Sequence, residues 1–303
     1  MNPQFLMDGV IAGAIIGLGA IGVTLTYSIL RFSNFAHGEF LSWGAYLALA
    51  VSSALGFLSA GLTKPIGPFS FGWSLPFAVL VAMALTALLA LVVDALLFSS
   101  FRRRGSPIII MVMASFGASL ALRSLLEFLF TSRPAYFSKA LQIAMKLGGG
   151  LRATPDQLLM LVLSAFAVIA VHLVLTRTDT GRAMRAVSEN PALASIAGID
   201  VRRVIRTAWC LGAALACIAG IMSGLLIQIR PYLGHDLLLP LFAAAILGGI
   251  GSVPGAMVAG LLIGVCEALA VQMVGAEWRA AVSFVILIAV LLIRPRGLFG
   301  RAA

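Results

Sequence analysis

Long apolar runs separated by short polar stretches set the pattern of this chain. Apolar runs near 20 residues with few charges predict membrane-crossing α-helices. Such runs cover Gly9–Leu30, Phe40–Leu58, Leu75–Phe98, Ile108–Phe130, Leu158–Leu175, Thr207–Ile229 and Ala256–Val274, and a final run, Ala280–Ile293, closes the chain. A further run, Leu237–Ile250, is too short at about 1.5 Å per residue to cross comfortably. It ends in GGIGSVPG, where four glycines and a proline break helical structure. A second interruption, NFAHGEF, lies between the first two runs and holds Asn34, His37 and Glu39. Between the fourth and fifth runs, Ala135–Met145 is expected to form a surface helix. The sequence shows no convincing internal repeat.

One polar island stands apart, Arg177 to Arg206, and its two ends run directly into apolar segments. Thr180 is placed to cap a short helix through Arg185 and Val187. Asn190 then precedes Pro191. Asn is a favoured N-cap, and proline at the first helical position loses only an N–H that had no partner. Gly198 can take the left-handed stop. The island therefore reads as two short helices with a corner at Asn190, the second being Pro191–Ala197. Ala192, Ala194, Ser195 and Ala197 give that helix a small surface that a partner can approach, and Leu193 and Ile196 offer apolar anchors. The plain alternative is an ordinary solvated loop.

Composition agrees with the pattern. Hydrophobic residues make up 61% and charged residues 11%, against about 25% charged in soluble chains. The short alternating strands of a β-barrel are absent. The first run follows MNPQFLMD, which lacks a basic residue, and is too long for a signal-peptide core, so it counts as a span. The net charge of +10 would suggest nucleic acid in a soluble protein. Here the arginines cluster at the ends of apolar runs, which marks topology instead. Arg102–Arg104, the island and the terminal RPRGLFGR should share the cytoplasmic side, with the N-terminus and the 131–156 loop outside. The basic residues Arg133, Lys139, Lys146 and Arg152 in that loop run against this orientation.

Catalytic signatures are missing. There is no phosphate-binding G-x-x-x-x-G-K-[ST], no H-E-x-x-H, no C-x-x-C and no G-x-S-x-G. Cys210, Cys217 and Cys266 lie inside the spans without metal-ligand spacing. Charges inside a bilayer need a partner or a wet cavity. Glu267 is the foremost such group, with a hydrogen bond to a neighbouring helix and a role in a substrate path as its two readings. Asp94 is expected at the interface near Arg102, and Arg123 and Glu127, four residues apart, can pair on one helix face. Backbone that leaves regular structure cannot face lipid, so NFAHGEF and GGIGSVPG must pack in protein or line an aqueous path. Small-residue series at Gly9, Gly13 and Gly17, and at Ala256, Gly260 and Gly264, permit close helix approach.

Four motifs in order, NFAHGEF, GRAMRAVSENPALASIAGI, LGGIGSVPGAMVAG and RPRGLFG, resemble the membrane permeases of high-affinity branched-chain amino acid ABC importers. The resemblance spans essentially the whole chain. It implies an all-α polytopic bundle of about 8–10 membrane segments, some broken or re-entrant, of the type II importer kind, in a bacterial inner membrane. It implies a single permease domain over 1–303, with 177–206 as its cytoplasmic coupling segment. The coupling residues would be Arg182, Arg185, Glu189, Asn190, Pro191, Ala192, Leu193, Ala194, Ile196 and Gly198. Asn34, His37, Glu39, Gly248, Gly249, Gly251 and Glu267 would line the translocation path. The expected partners are a second related permease, two cytoplasmic ATPases that hold ATP and Mg, a periplasmic substrate-binding protein and membrane lipid. The chain itself would bind no cofactor, metal or nucleic acid. Relatives import urea, short amides and aromatic acids, which leaves the substrate open. An ion-coupled secondary transporter is the rival class, but it would leave the island without a task.

Overall fold

A computed structural model describes residues 3–138, 142–148, 150–294 and 297–299. Twelve α-helices dominate them: α1 (Gln4–Leu30), α2 (His37–Leu58), α3 (Ser74–Val93), α4 (Ser99–Arg103), α5 (Ile108–Phe130), α6 (Pro155–Arg177), α7 (Asp179–Glu189), α8 (Pro191–Ile196), α9 (Val201–Leu226), α10 (Leu233–Gly248), α11 (Val253–Met273) and α12 (Arg279–Ile293). A π turn at Asp94–Phe98 joins α3 to α4 without a break. Eight helical segments among the described residues are long and apolar enough to cross a membrane, the sixteen-residue α10 falling short.

Helix α1 is the axis of the bundle. Its Gly9, Gly13 and Gly17 face Gly260 and Gly264 of α11, so the two small-residue series expected from sequence pack on each other. A Cβ on Gly13 would lie 2.6 Å from the Cα of Leu261, and one on Gly9 would lie 2.7 Å from the Cα of Val265. No real side chain tolerates such distances. Close approach of this kind is how helices associate where lipid removes the hydrophobic drive between them.

Two units of helix, break and helix cross at the centre. The breaks are Arg31–Ala36, between α1 and α2, and Ile227–Tyr232, between α9 and α10, six residues each. The end of α1 lies beside the end of α7, where Arg31 reaches Ser188 and Glu189, and α9 starts within the island at Val201. The two units therefore run in opposite directions. Their second helices start inside the bundle and meet at their second residues, Gly38 and Gly234, where a Cβ on Gly38 would sit 2.6 Å from the Gly234 carbonyl oxygen. Sequence reading found no repeat because the two units share backbone geometry and one glycine position rather than side chains.

Sidedness is internally consistent. Gln4 accepts from and donates to the backbone of Arg152, which puts the start of α1 beside the 145–153 hairpin. The island, the Arg102 end of α4 (through Phe98 against Phe32) and Leu298 and Phe299, which donate to the Leu247 and Gly248 carbonyls, lie at the opposite end. The expected surface helix at Ala135–Met145 does not form among its described residues. Ala135 exchanges both backbone hydrogen bonds with Ile229, and Met145 opens a short strand paired with Leu151–Ala153. Residues 139–141 of that stretch, with Lys139, lie outside the described residues, as do Pro295, Arg296 and Gly300 to Ala303.

Candidate functional site

The island folds into two capped helices. Helix α6 ends at Arg177, and Thr178, in extended conformation, caps α7 by accepting from the Gly181 N–H at 3.2 Å. The cap expected at Thr180 thus falls two residues earlier, because α7 already includes Asp179 and Thr180. Gly181 packs directly on the backbone of Leu175, and the Arg185 guanidinium donates to the Leu175 carbonyl, so the α6–α7 corner is braced from both sides. Arg182 pairs with Asp179 at the surface. At the second corner, Asn190 Oδ1 accepts from the N–H groups of Ala192 and Leu193, each at 3.0 Å, with Pro191 at the first helical position. Gly198 takes φ +84 beyond the end of α8. Asp200, which sequence reading passed over, then caps α9 through Arg202 and Arg203 N–H.

Helix α8 shows an apolar face to solvent. Leu193 is 63% exposed and Ile196 84%, while Ala192, Ser195 and Gly198 are also exposed. Ala194 is different. Expected on the docking surface, it is 4% exposed and packs into the core. Its inward direction follows from the helical turn that sends Leu193 and Ile196 outward. The exposed edge of the island is completed by Glu189, while α7 itself is anchored by buried Met184 and Val187.

A second polar group lies inside the bundle around the start of α2. His37 to Phe40 of the NFAHGEF stretch are already helical, and the irregular backbone is the break before them. Asn34 accepts from the Ala36 N–H through Oδ1 at 3.1 Å, while its Nδ2 has no partner. The His37 ring packs against Gly22, eight residues before the end of α1, which places it about 12 Å inside the bundle. Glu39 Oε1 accepts from Arg123 at 2.7 Å and from Ser119 at 2.8 Å, both on α5. Arg123 also lies over the Tyr232 ring at 5.0 Å, just before α10. The expected pairing of Arg123 with Glu127 gives way to this cross-helix bond, because Arg123 points into the bundle where Glu39 is buried. Glu39 Oε2 and Arg123 Nε remain without hydrogen-bond partners.

The other polar candidates do not join this group. Gly248 packs on Gly255; Gly249 and Gly251 take φ +91 and +89, and Gly251 donates to Thr24 Oγ1 at 2.7 Å, toward the island end of α1. Ser252 caps α11 through the Gly255 N–H. Glu267 lies near the other end, where α11 packs on Gly9. It accepts from Arg279 Nε at 3.0 Å and from Ser283 Oγ, which is the neighbouring-helix reading of that residue. Asp94 accepts from Nη1 and Nη2 of Arg102 at 2.7 and 2.9 Å, where sequence placed it. Ser119, Tyr232 and Gly234 were missed, and Arg123, singled out as a charge in an apolar run, was given the wrong partner. On the hairpin side, two adjoining cavities of about 220 and 230 Å³ share Ser70 and Phe137, and buried Asp156 lines the second.

A family model described as a branched-chain amino acid transport system permease component matches residues 5–291. The chain belongs to that family. It is a membrane transport component and not an enzyme. The permease is 32% identical over 313 residues to the high-affinity branched-chain amino acid transport system permease protein LivH of Escherichia coli K12, covering 99% of this chain and 98% of that protein. It is also 32% identical over 309 residues to the permease protein BraD of Pseudomonas aeruginosa, covering 98% and 95%. Among solved structures, PsaBC from Streptococcus pneumoniae in complex with Fab aligns over 97% of the permease and 93% of that chain, at TM-score 0.48 and 14% identity.

Proposed function

We propose that the permease forms half of the membrane channel of an ATP-driven importer of branched-chain amino acids in an inner membrane. In this reading it pairs with a second, related permease. Two cytoplasmic ATPases, which hold the ATP and Mg, dock beneath, and a periplasmic binding protein delivers substrate from the hairpin side. The observation that carries the reading is α8, a helix fixed at both ends that holds Leu193 and Ile196 out to solvent. Large apolar side chains on a polar island are what a partner groove would cover, and the connection of α8 to α9 and, through the braced α7, to α6 lets a push on α8 reach the membrane helices.

The substrate class rests on the relatives, and the central polar group fits it. A zwitterion carries one charge of each sign. The Glu39–Arg123 pair and the unpartnered atoms of Asn34 and His37 supply charges and hydrogen-bonding groups of both kinds beside the meeting point of α2 and α10. Helix N-termini add partial positive charge there. Selection among amino acids would then belong to the binding protein, with the membrane passage only transmitting.

The test is to purify the permease with its neighbouring subunits and reconstitute the complex in proteoliposomes. Leucine, isoleucine and valine, presented on the binding protein, should stimulate hydrolysis and enter the vesicles. Stimulation by urea or short amides with none by leucine would overturn the substrate assignment. Purification without any ATPase would overturn the machine itself.

A further inference from the structure

Arg31 stands where the coupling segment touches the rest of the bundle. Its guanidinium Nη2 donates to the carbonyls of Ser188 at 3.0 Å and Glu189 at 2.9 Å, in the last turn of α7. Carbonyls at a helix C-terminus lack intrahelical partners and favour a cation. The same residue closes α1. Its N–H donates to the Tyr27 carbonyl at 2.8 Å, and its backbone is left-handed at φ 57, a conformation that glycine takes more easily. An arginine there accepts backbone strain and gains a fork that holds the end of α7.

Behind Arg31 the chain is the break itself. Phe32 is buried against Phe98, Ser115 Oγ bonds the Ser33 carbonyl and the Phe35 N–H, and the Asn34 carbonyl accepts the first N–H of α2. Three residues into α2 stands Glu39, bonded to Arg123, which lies over Tyr232 at the start of the opposite unit. From the corner before α8 to the meeting of α2 and α10, every step is a direct contact. We infer that Arg31 is the positioning residue that transmits displacement of the coupling segment into the broken start of α2. ATPase docking on α8 does not use it. This rests on the coupling reading of α7 and α8.

The reconstituted complex tests it, in proteoliposomes where the wild type moves leucine. Arg31→Gly keeps the left-handed turn and removes the fork. Arg31→Lys keeps a cation without the planar guanidinium. The Arg31→Gly complex should retain its ATPases and its stimulated hydrolysis, while leucine moved per ATP falls roughly five-fold or more, the lower range of measured coupling between sites. Arg31→Lys should recover part of that loss. Unchanged leucine per ATP in Arg31→Gly overturns the inference. So does loss of the ATPases from that complex, which would make the fork a support for docking. Leu193→Asp separates the two ideas: if it keeps ATPases and coupling, the coupling reading itself fails, whereas its failure alongside a normal Arg31→Gly removes only the role of Arg31.

Discussion

Glu39 on α2 and Arg123 on α5, 84 residues apart in sequence, form an ion pair of 2.7 Å inside the bundle. Glu39 is 1% exposed. Breaking a buried pair leaves one charge without compensation, which costs about 3–5 kcal/mol. Arg123→Ala should therefore lower unfolding stability in detergent by that order. Replacing both partners, Glu39→Gln with Arg123→Met, should cost clearly less, since neither charge is then stranded. Equal losses in the single and double variants would mean that the pair contributes nothing specific.

The exposed apolar face of α8, read as a docking face, predicts a split between neighbours on one helix. Leu193→Asp and Ile196→Asp change exposed side chains, so the permease should fold and reach the membrane while losing its ATPases on purification. Arg182→Ala, removing a surface pair with Asp179 worth about 0–1 kcal/mol, should leave the complex intact. Ala194→Trp should instead unfold the α8 corner, because Ala194 is buried; limited proteolysis of the permease alone would then cut within 177–206.

The seam between α1 and α11 predicts a strong dependence on side-chain size. Gly260 faces the backbone of Gly17, so Gly260→Leu has to drive the two helices apart. The folded yield in detergent, read by size-exclusion chromatography, should collapse. Gly117→Ala serves as the control, as nothing lies within 4 Å of the Cβ it would add. That variant should behave as wild type.

Glu267 predicts a structural effect without a transport effect. It is tied to Arg279 and Ser283 of α12, away from the Glu39 group. Arg279 is half exposed but Glu267 is buried, so Arg279→Ala leaves a buried carboxylate held by Ser283 and should lower unfolding stability by about 1–3 kcal/mol. Leucine uptake per assembled complex should stay at the wild-type level in Glu267→Gln. A fall in uptake with normal assembly would return Glu267 to the path.

Much of the molecule was legible in local sequence. The spans follow from apolar run length, and the α8 corner follows from Asn190, Pro191 and Gly198, whose backbone preferences act within a few residues. The two glycine series foretold close packing. The placement of Ala194 was not legible, because a six-residue helix carries too little pattern to fix which way it faces. Arg123 was assigned to Glu127 because only contacts four residues apart can be read along a helix.

Sequence by itself determined the class of the molecule: apolar length demands helices in a bilayer, and one polar island must stand in water. Tertiary structure decided which residues share the interior. The Glu39–Arg123–Tyr232 group, the meeting of Gly38 with Gly234 and the hold of Arg31 on α7 all join segments 84 to 196 residues apart. Chain connectivity imposes no preference at such separations. They arise only once packed small residues bring α1, α2, α9 and α10 close enough for buried polar groups to find partners, which the cost of leaving them unpaired then enforces.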